Sequence, residues 1–180
     1  MNTNDNAWKC PECNLGMNAS NELETHWVNN HARKTTRLRQ MLNGNKMIVA
    51  PFCMNAIHAK IAEMVGLDAI YMTGHGTSAE RGYSDVGLIT QTEMLQNASY
   101  ITKAVDIPVI CDADTGYGNP INVWRTVREY EALGVGAIHI EDQVFPKKCG
   151  FFAGKLVVST EEHAQKICAA VDARRDKDFV

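Results

Sequence analysis

The stretch "VICDADTGYGNP", residues 109–120, decides the fold. An apolar run ends in two aspartates one residue apart, Asp112 and Asp114, and Gly116, Gly118 and Pro120 follow at once. Side chains alternate along a strand, so both carboxylates face one way while Cys111 and Ala113 face the other. Parallel α/β folds build their active sites at the C-terminal ends of strands, and the glycines let the backbone turn tightly over such a mouth. The next apolar run, "GAIHIEDQ" at 136–143, repeats the arrangement, with His139 and Glu141 sharing a face at its end.

Outward from these two runs the pattern is regular. "KMIVA" (46–50) reads as a strand, "NAIHAKIAEMVG" (55–66) as a helix closing on Gly66, and "DAIYMTG" (68–74) as the next strand. "TQTEMLQNASYITKAV" (90–105) reads as a helix capped by Thr90 or Thr92. "IPVICDAD" (107–114) is a strand, and "NPINVWRTVREYEALG" (119–134) is a helix with Pro120 in its first turn and Gly134 past its end. "STEEHAQKICAAVDARR" (159–175) starts at Ser159 or Thr160, and "DKDFV" (176–180) opens a further strand. Strands alternating with helices argue for parallel βαβ units, hence an α/β sheet or barrel. Met41, Met47, Met54, Met64, Met72 and Met94 read as core filling, Cys53, Cys111 and Cys168 as small core residues, and Trp124 as packing its helix on the sheet. His58 and His163 read as ordinary surface or packing histidines.

A net charge of −3 with 45% hydrophobic residues gives no global attraction to nucleic acid or an anionic membrane. The N-terminus "MNTNDNAWKC" lacks the zones of a signal peptide, and nowhere do 18 apolar residues run together. The expected location is the cytoplasm, with the nucleus open and no membrane partner. Two of the six cysteines are close together and four are scattered, which suggests thiols and metal ligands, not a disulfide framework.

Three acids in one mouth, Asp112, Asp114 and Glu141, repel one another unless a cation sits between them. Oxygen-only ligands favour Mg2+ or Mn2+ over Zn2+. The competing reading is an Asx-type turn at Asp114 with Glu141 paired to a lysine.

The front of the chain carries a second pattern, "CPECNLGMNASNELETHWVNNH", with Cys10-x2-Cys13-x12-His26-x4-His31. Two thiolates and two imidazoles at this spacing satisfy tetrahedral Zn2+, and so short a module has too little core to fold without metal. With Met17 and Leu23 at the two core positions, the segment resembles a C2H2 zinc finger, although Met17 stands where that family usually has Phe. The resemblance implies a ββα module over residues 1–33, joined by a linker "NNHARKTT" (29–36). At the positions that would read bases stand Ala19, Glu22 and Thr25, with no basic residue for guanine, and Glu22 and Glu24 repel phosphate. That argues against DNA. Arg33, Lys34, Arg37 and Arg39 could touch a backbone without selecting sequence, and a protein contact or structural cap fits better.

"DADTGYGN", "AIHIEDQVFPKKCG" and "IYMTGHGTSAERGYSDVGL" together resemble the phosphoenolpyruvate mutase/isocitrate lyase superfamily, from about Leu38 to the last residue. The resemblance implies a (β/α)8 barrel and C–C or P–C chemistry through Mg-stabilised enolate-like species. It implies that Asp112, Asp114 and Glu141 form the Mg2+ (or Mn2+) site, some through water. Tyr71, Thr73, Gly74, His75, the loop acid Asp85 and Gly150 would then hold a small carboxylate substrate. "PKKCG" resembles the lyase branch, which includes 2-methylisocitrate and 2,3-dimethylmalate lyases. There Cys149 would be the general acid, with Lys147 at its side; Lys147 and Lys148 should favour its thiolate. Taken alone, a cysteine beside two lysines in a loop is more often an incidental exposed thiol, and the family resemblance reverses that weighting. Where the lyases continue "CG" with His, this chain has Phe151.

A (β/α)8 barrel takes about 250 residues, so residues 37–180 are expected to form its N-terminal half. Half a barrel leaves two sheet edges and an apolar face uncovered, and such a chain should associate with itself or with a complementing chain. The rival expectation is a catalytically inactive zinc-finger interaction protein carrying a remnant barrel.

Overall fold

The structure is a computed structural model and describes residues 8–180, with the side chains of residues 28–30 left aside. The domain assigned to residues 1–33 is therefore visible only from Trp8. Two short strands, β1 (Trp8–Lys9) and β2 (Gly16–Met17), pair antiparallel with Trp8 opposite Met17, and helix α1 (Ser20–Asn30) follows. Met17 is buried and Leu23 half-buried, as the two core positions of so small a unit require.

The expected linker is not extended. Helix α1 runs to Asn30, and helix α2 (Lys34–Asn43) begins three residues after His31. The tertiary contacts of α2 explain why this polar stretch folds: Leu38 is fully buried against Gly136, where an added Cβ would lie 3.1 Å from Leu38 Cδ2. Thr35 and Thr36 donate hydroxyl hydrogen bonds to Asp176 (2.8 Å) and Asp178 (2.7 Å), Arg37 and Arg39 donate to the Asp106 and Phe179 carbonyls, and Lys34 donates to the Thr102 carbonyl.

Behind α2 comes a four-stranded parallel sheet in sequence order, β3 (Phe52–Cys53), β4 (Ile70–Met72), β5 (Val109–Asp112) and β6 (Ala137–His139). The register puts Tyr71 opposite Ile110 and Asp112 opposite His139. The crossovers are helices: α3 (Ala56–Met64), α4 (Gly74–Glu80) with α5 (Gln91–Ala104), and α6 (Pro120–Ala132), while α7 (Thr160–Ala173) follows β6. Their ends follow from local chemistry. Thr90 and Glu93 form a reciprocal capping box on α5, Asn119 caps α6 with Pro120 in its first turn, and Gly66 and Gly134 take positive φ just past α3 and α6.

Ile70, Met72, Val109 and Cys111 are fully buried against the helices, with Val123, Val127 and Tyr130. The opposite face, carrying Tyr71, Ile110 and Ile138, is only half-buried among the described residues. Parallel sheets are ordinarily covered on both faces, so this one has an apolar side without full cover.

Several sequence expectations change. "KMIVA" is not a strand; pairing starts at Phe52, and Met47 and Val49 are exposed. Helix α4 went unread because Gly74 and Gly76 lower its propensity. "DKDFV" forms no strand, although Val180 exchanges backbone hydrogen bonds with Gly136 and Ile138 along the free side of β6. Met47, Met64 and Cys168 are exposed, not core. Trp124 is half out in solvent under the Arg128 guanidinium, 4.6 Å from its ring centroid. Met47 lies in the loop between α2 and β3, and a small hydrophobic core selects one face of each helix, with Met64, Cys168 and Trp124 falling on the other.

Candidate active site at the strand ends

The strand-end residues of β4, β5 and β6 meet at one end of the sheet. Strand β5 stops at Asp112, where strict alternation ends: Asp114 takes a positive φ of 46° and its N–H donates to Asp112 Oδ1 at 2.9 Å. An Asx turn therefore does form, centred on Asp112, and it brings the Asp114 carboxylate round into the mouth by turning the backbone. Gly116 (φ 80°) continues the reversal; a Cβ there would meet Val123 Cγ2 at 2.5 Å, so helix α6 can approach only a glycine. Tyr130, wholly buried on α6, donates from its hydroxyl to the Asp112 carbonyl at 3.1 Å and fixes the strand end.

Asp85, Asp112 and Asp114 are all buried, and the group that reconciles them is Lys147. Its Nζ lies 2.6 Å from Asp85 Oδ1 and 2.8 Å from Asp114 Oδ1, and the residue is only 2% exposed. Burial works against the ammonium, but Asp114, Asp85 and Asp112 more than offset it and hold the Lys147 pKa above its ordinary value. Asp114 is pushed up to about 6, first by burial and then by the neighbouring Asp112 charge, with Lys147 opposing. Glu141 is raised for the same two reasons, burial and Asp112. Lys147 is thus committed to carboxylates. The expectation that both lysines act on Cys149 does not hold, because Lys148 Nζ turns to the Gly154 carbonyl at 3.0 Å.

Glu141 lies two residues beyond β6; its N–H donates to the Asp114 carbonyl at 2.7 Å, which ties the two acid-bearing turns together. His139 is exposed and its Nδ1 lies 3.0 Å from the Tyr71 hydroxyl, whose pKa is raised by burial and by Asp112. Gly74 N–H donates to Asp112 Oδ2 at 3.1 Å, and a Cβ on Gly74 would come within 2.6 Å of that oxygen. Thr73 caps α4 through Gly76 N–H. Gly150 is exposed with open space around it.

Among the described residues, donor atoms within 4.8 Å of one another occur in two groups, Cys10/Cys13/His26/His31 and His75/Asp85/Cys149. Asp112, Asp114 and Glu141 do not form so tight a group. They are coupled by charge and backbone bonds, with an all-oxygen donor set and more acid than Lys147 neutralises, which fits a hard divalent cation held partly through water.

Cys149 is not the exposed thiol of a free loop. It is 6% exposed, and its N–H donates to the Asp85 carbonyl at 2.9 Å. Sequence reasoning missed Gln143, which is buried and fastens the thiol loop to the acid: Nε2 donates to Glu141 Oε2 (2.8 Å) and the Lys148 carbonyl (2.7 Å), while Oε1 accepts from Lys148 N–H (3.0 Å). Its one sequence signal was its place two residues after Glu141.

Acids, a buried lysine and a thiol at the C-terminal ends of parallel strands define the class of α/β proteins that carry their chemistry in strand-end loops. Residues 38–180 match the family model described as Phosphoenolpyruvate phosphomutase, and the chain belongs to this PEP mutase/isocitrate lyase superfamily. It is 53% identical over 145 residues to the 2,3-dimethylmalate lyase of Eubacterium barkeri, covering 80% of this chain and 50% of that protein. It is 49% identical over 139 residues to a 2-methylisocitrate lyase of Aeropyrum pernix, covering 77% and 45%. A phosphonopyruvate hydrolase solved in complex with oxalate and Mg++ superposes with a TM-score of 0.76 at 37% identity, covering 83% of this chain and 51% of that one. The chain spans about half the length of the curated relatives it matches.

Proposed function

We propose that this chain carries the metal-binding and proton-donating part of a Mg-dependent C–C lyase site for a small hydroxy-dicarboxylate such as 2-methylisocitrate. The supporting observation is the buried Lys147 bridging Asp85 and Asp114 beside Asp112, Glu141 and the thiol of Cys149. Asp112, Asp114 and Glu141 would hold the cation, which when bound offsets the negative charge that builds on the oxo-acid oxygen as the bond breaks. Gly74 keeps the Asp112 carboxylate in place with its N–H and leaves room where a side chain would collide. Tyr71, Thr73, Gly74, His75, Asp85 and Gly150 would hold the substrate carboxylates. Cys149 delivers a proton to the carbanion carbon of the departing half. The test is Mg-dependent release of an oxo acid from hydroxy-dicarboxylates by the purified chain, alone and with a complementing second half. Asp112→Ala should abolish it, and unchanged turnover in that variant removes the metal mechanism.

A second reading concerns the front module. Cys10, Cys13, His26 and His31 place four donors within 4.8 Å, Cys13 Sγ and His31 Nε2 each lying 3.2 Å from His26 Nε2. We infer a structural Zn2+ in this S2N2 set. Metal analysis of the protein purified without added zinc tests it. Were this the working part, with the barrel region inactive, partner binding would depend on Cys10 and His26 and ignore Cys149.

A further inference from the structure

A buried proton donor that works once per turnover has to recover its proton, and Cys149 at 6% exposure exchanges poorly with solvent by itself. Its own loop offers no help: Gly150 follows, then Phe151, which is 97% exposed, and Phe152. The charged groups around it are already engaged. Lys147 is held by Asp85 and Asp114, Asp85 by Lys147, and Lys148 by the Gly154 carbonyl. Among the described residues, an exposed titratable side chain lies close to the thiol. His75, the second residue of α4, is exposed, and an imidazole nitrogen lies within 4.8 Å of both Cys149 Sγ and an Asp85 oxygen.

His, Asp and Cys at that separation could also describe a metal site. Lys147 already meets Asp85 Oδ1 at 2.6 Å, and unlike Asp114, which has the Asp112 carboxylate beside it, Asp85 shares this group only with an imidazole and a thiol, so the geometry favours proton traffic over coordination.

We propose that His75 is the positioning and proton-carrying partner of Cys149, an imidazole supplied from the β4–α4 junction to a thiol whose own loop lacks one. The proposal rests on the lyase reading for its biological role. In the cleavage direction the Cys149 S–H bond breaks and its proton forms a C–H bond at the carbanion carbon, leaving a thiolate. His75 then takes a proton from solvent and passes it to Sγ, directly or through one water, which returns the ring to its neutral form. Solvent has received the proton of the substrate hydroxyl, so the cycle closes without any other reactant.

The same exchange in the resting protein lets His75 take the thiol proton, which makes alkylation of Cys149 the direct assay and keeps it independent of turnover. Iodoacetamide labelling of the full chain, resolved by residue with mass spectrometry, is compared for the native protein, His75→Ala and His75→Gln. Labelling of Cys149 near neutral pH should slow by about 100-fold in both variants, the lower end of what a positioned acid–base group provides. Labelling of the exposed Cys168 should not change. Added imidazole should restore much of the Cys149 rate in His75→Ala, which a purely structural role would not permit. His75 is exposed, so circular-dichroism melts should coincide and exclude unfolding as the cause. Equal Cys149 rates in all three proteins, or a slow His75→Ala that imidazole leaves slow, overturns the proposal. The lyase reading fails separately: His75-dependent labelling without oxo-acid release from any hydroxy-dicarboxylate would sink that reading and leave the proton pair standing.

Discussion

Replacing Lys147 by Met removes the one ammonium that reconciles three buried acids, and its cost follows from the geometry. Lys147 is 2% exposed and makes two ion pairs at 2.6 and 2.8 Å with carboxylates that are themselves buried. Breaking a buried pair by removing one partner costs about 3–5 kcal/mol, because an uncompensated charge remains inside. For a chain of this size each kcal/mol moves Tm by roughly 2–4 °C, so the midpoint at neutral pH should fall by about 6–20 °C. The pH dependence gives the sharper test. Asp114 titrates near about 6 in the fold against about 3.9 unfolded, so ionising it already costs stability as pH rises through that window. Without Lys147 that cost grows, and the gap between native protein and variant should be widest above pH 6 and narrow as acid protonates Asp114. Urea unfolding at about pH 7.5 and pH 5 measures both gaps. A Lys147→Met protein as stable as the native one at pH 7.5, or a gap that widens in acid, would refute the assignment of Lys147 as counter-charge.

Gly74→Ala should keep the fold but weaken Mg2+ binding. The new Cβ forces Asp112 Oδ2 from 2.6 Å back to ordinary contact, a shift of about 0.7 Å, and disturbing a group that hydrogen-bonds a metal ligand costs roughly 10- to 100-fold in metal affinity; calorimetric titration with unchanged affinity would contradict the site. Because a cation must displace the Asp114 proton, apparent Mg2+ affinity should rise by up to about tenfold per pH unit towards 6 and level off above it, and a flat profile from about pH 5 to 7 would count against Asp114 as ligand. Cys10→Ser, or a strong chelator, should unfold α1 while leaving the parallel sheet intact, read as lost zinc with a small loss of helical signal; a protein that binds no zinc at all ends that proposal. Light scattering should find the chain associated, since the sheet face carrying Tyr71, Ile110 and Ile138 is only half-buried; a monomer at high concentration would argue otherwise.

The sequence by itself determined the alternation of strands and helices from α3 to α7, apart from α4, because apolar periodicity and caps such as Thr90 and Ser159 act within a few residues. It also singled out candidate site acids, since acids after an apolar run are costly and stand out. Spacing likewise revealed the four donors of the front module, which the structure draws within 4.8 Å. What lies across the chain was decided only by tertiary structure. Helix α2 forms from a polar stretch because the base of the sheet and the 176–179 segment receive it. Asp114 reaches the mouth through a positive φ that alternation cannot forecast. Lys147 serves Asp85 and Asp114 instead of its neighbour Cys149, and the histidine beside that thiol comes from residue 75. Proximity in sequence is a poor guide to electrostatics, because a charge acts on whatever the fold brings within a few ångströms of it.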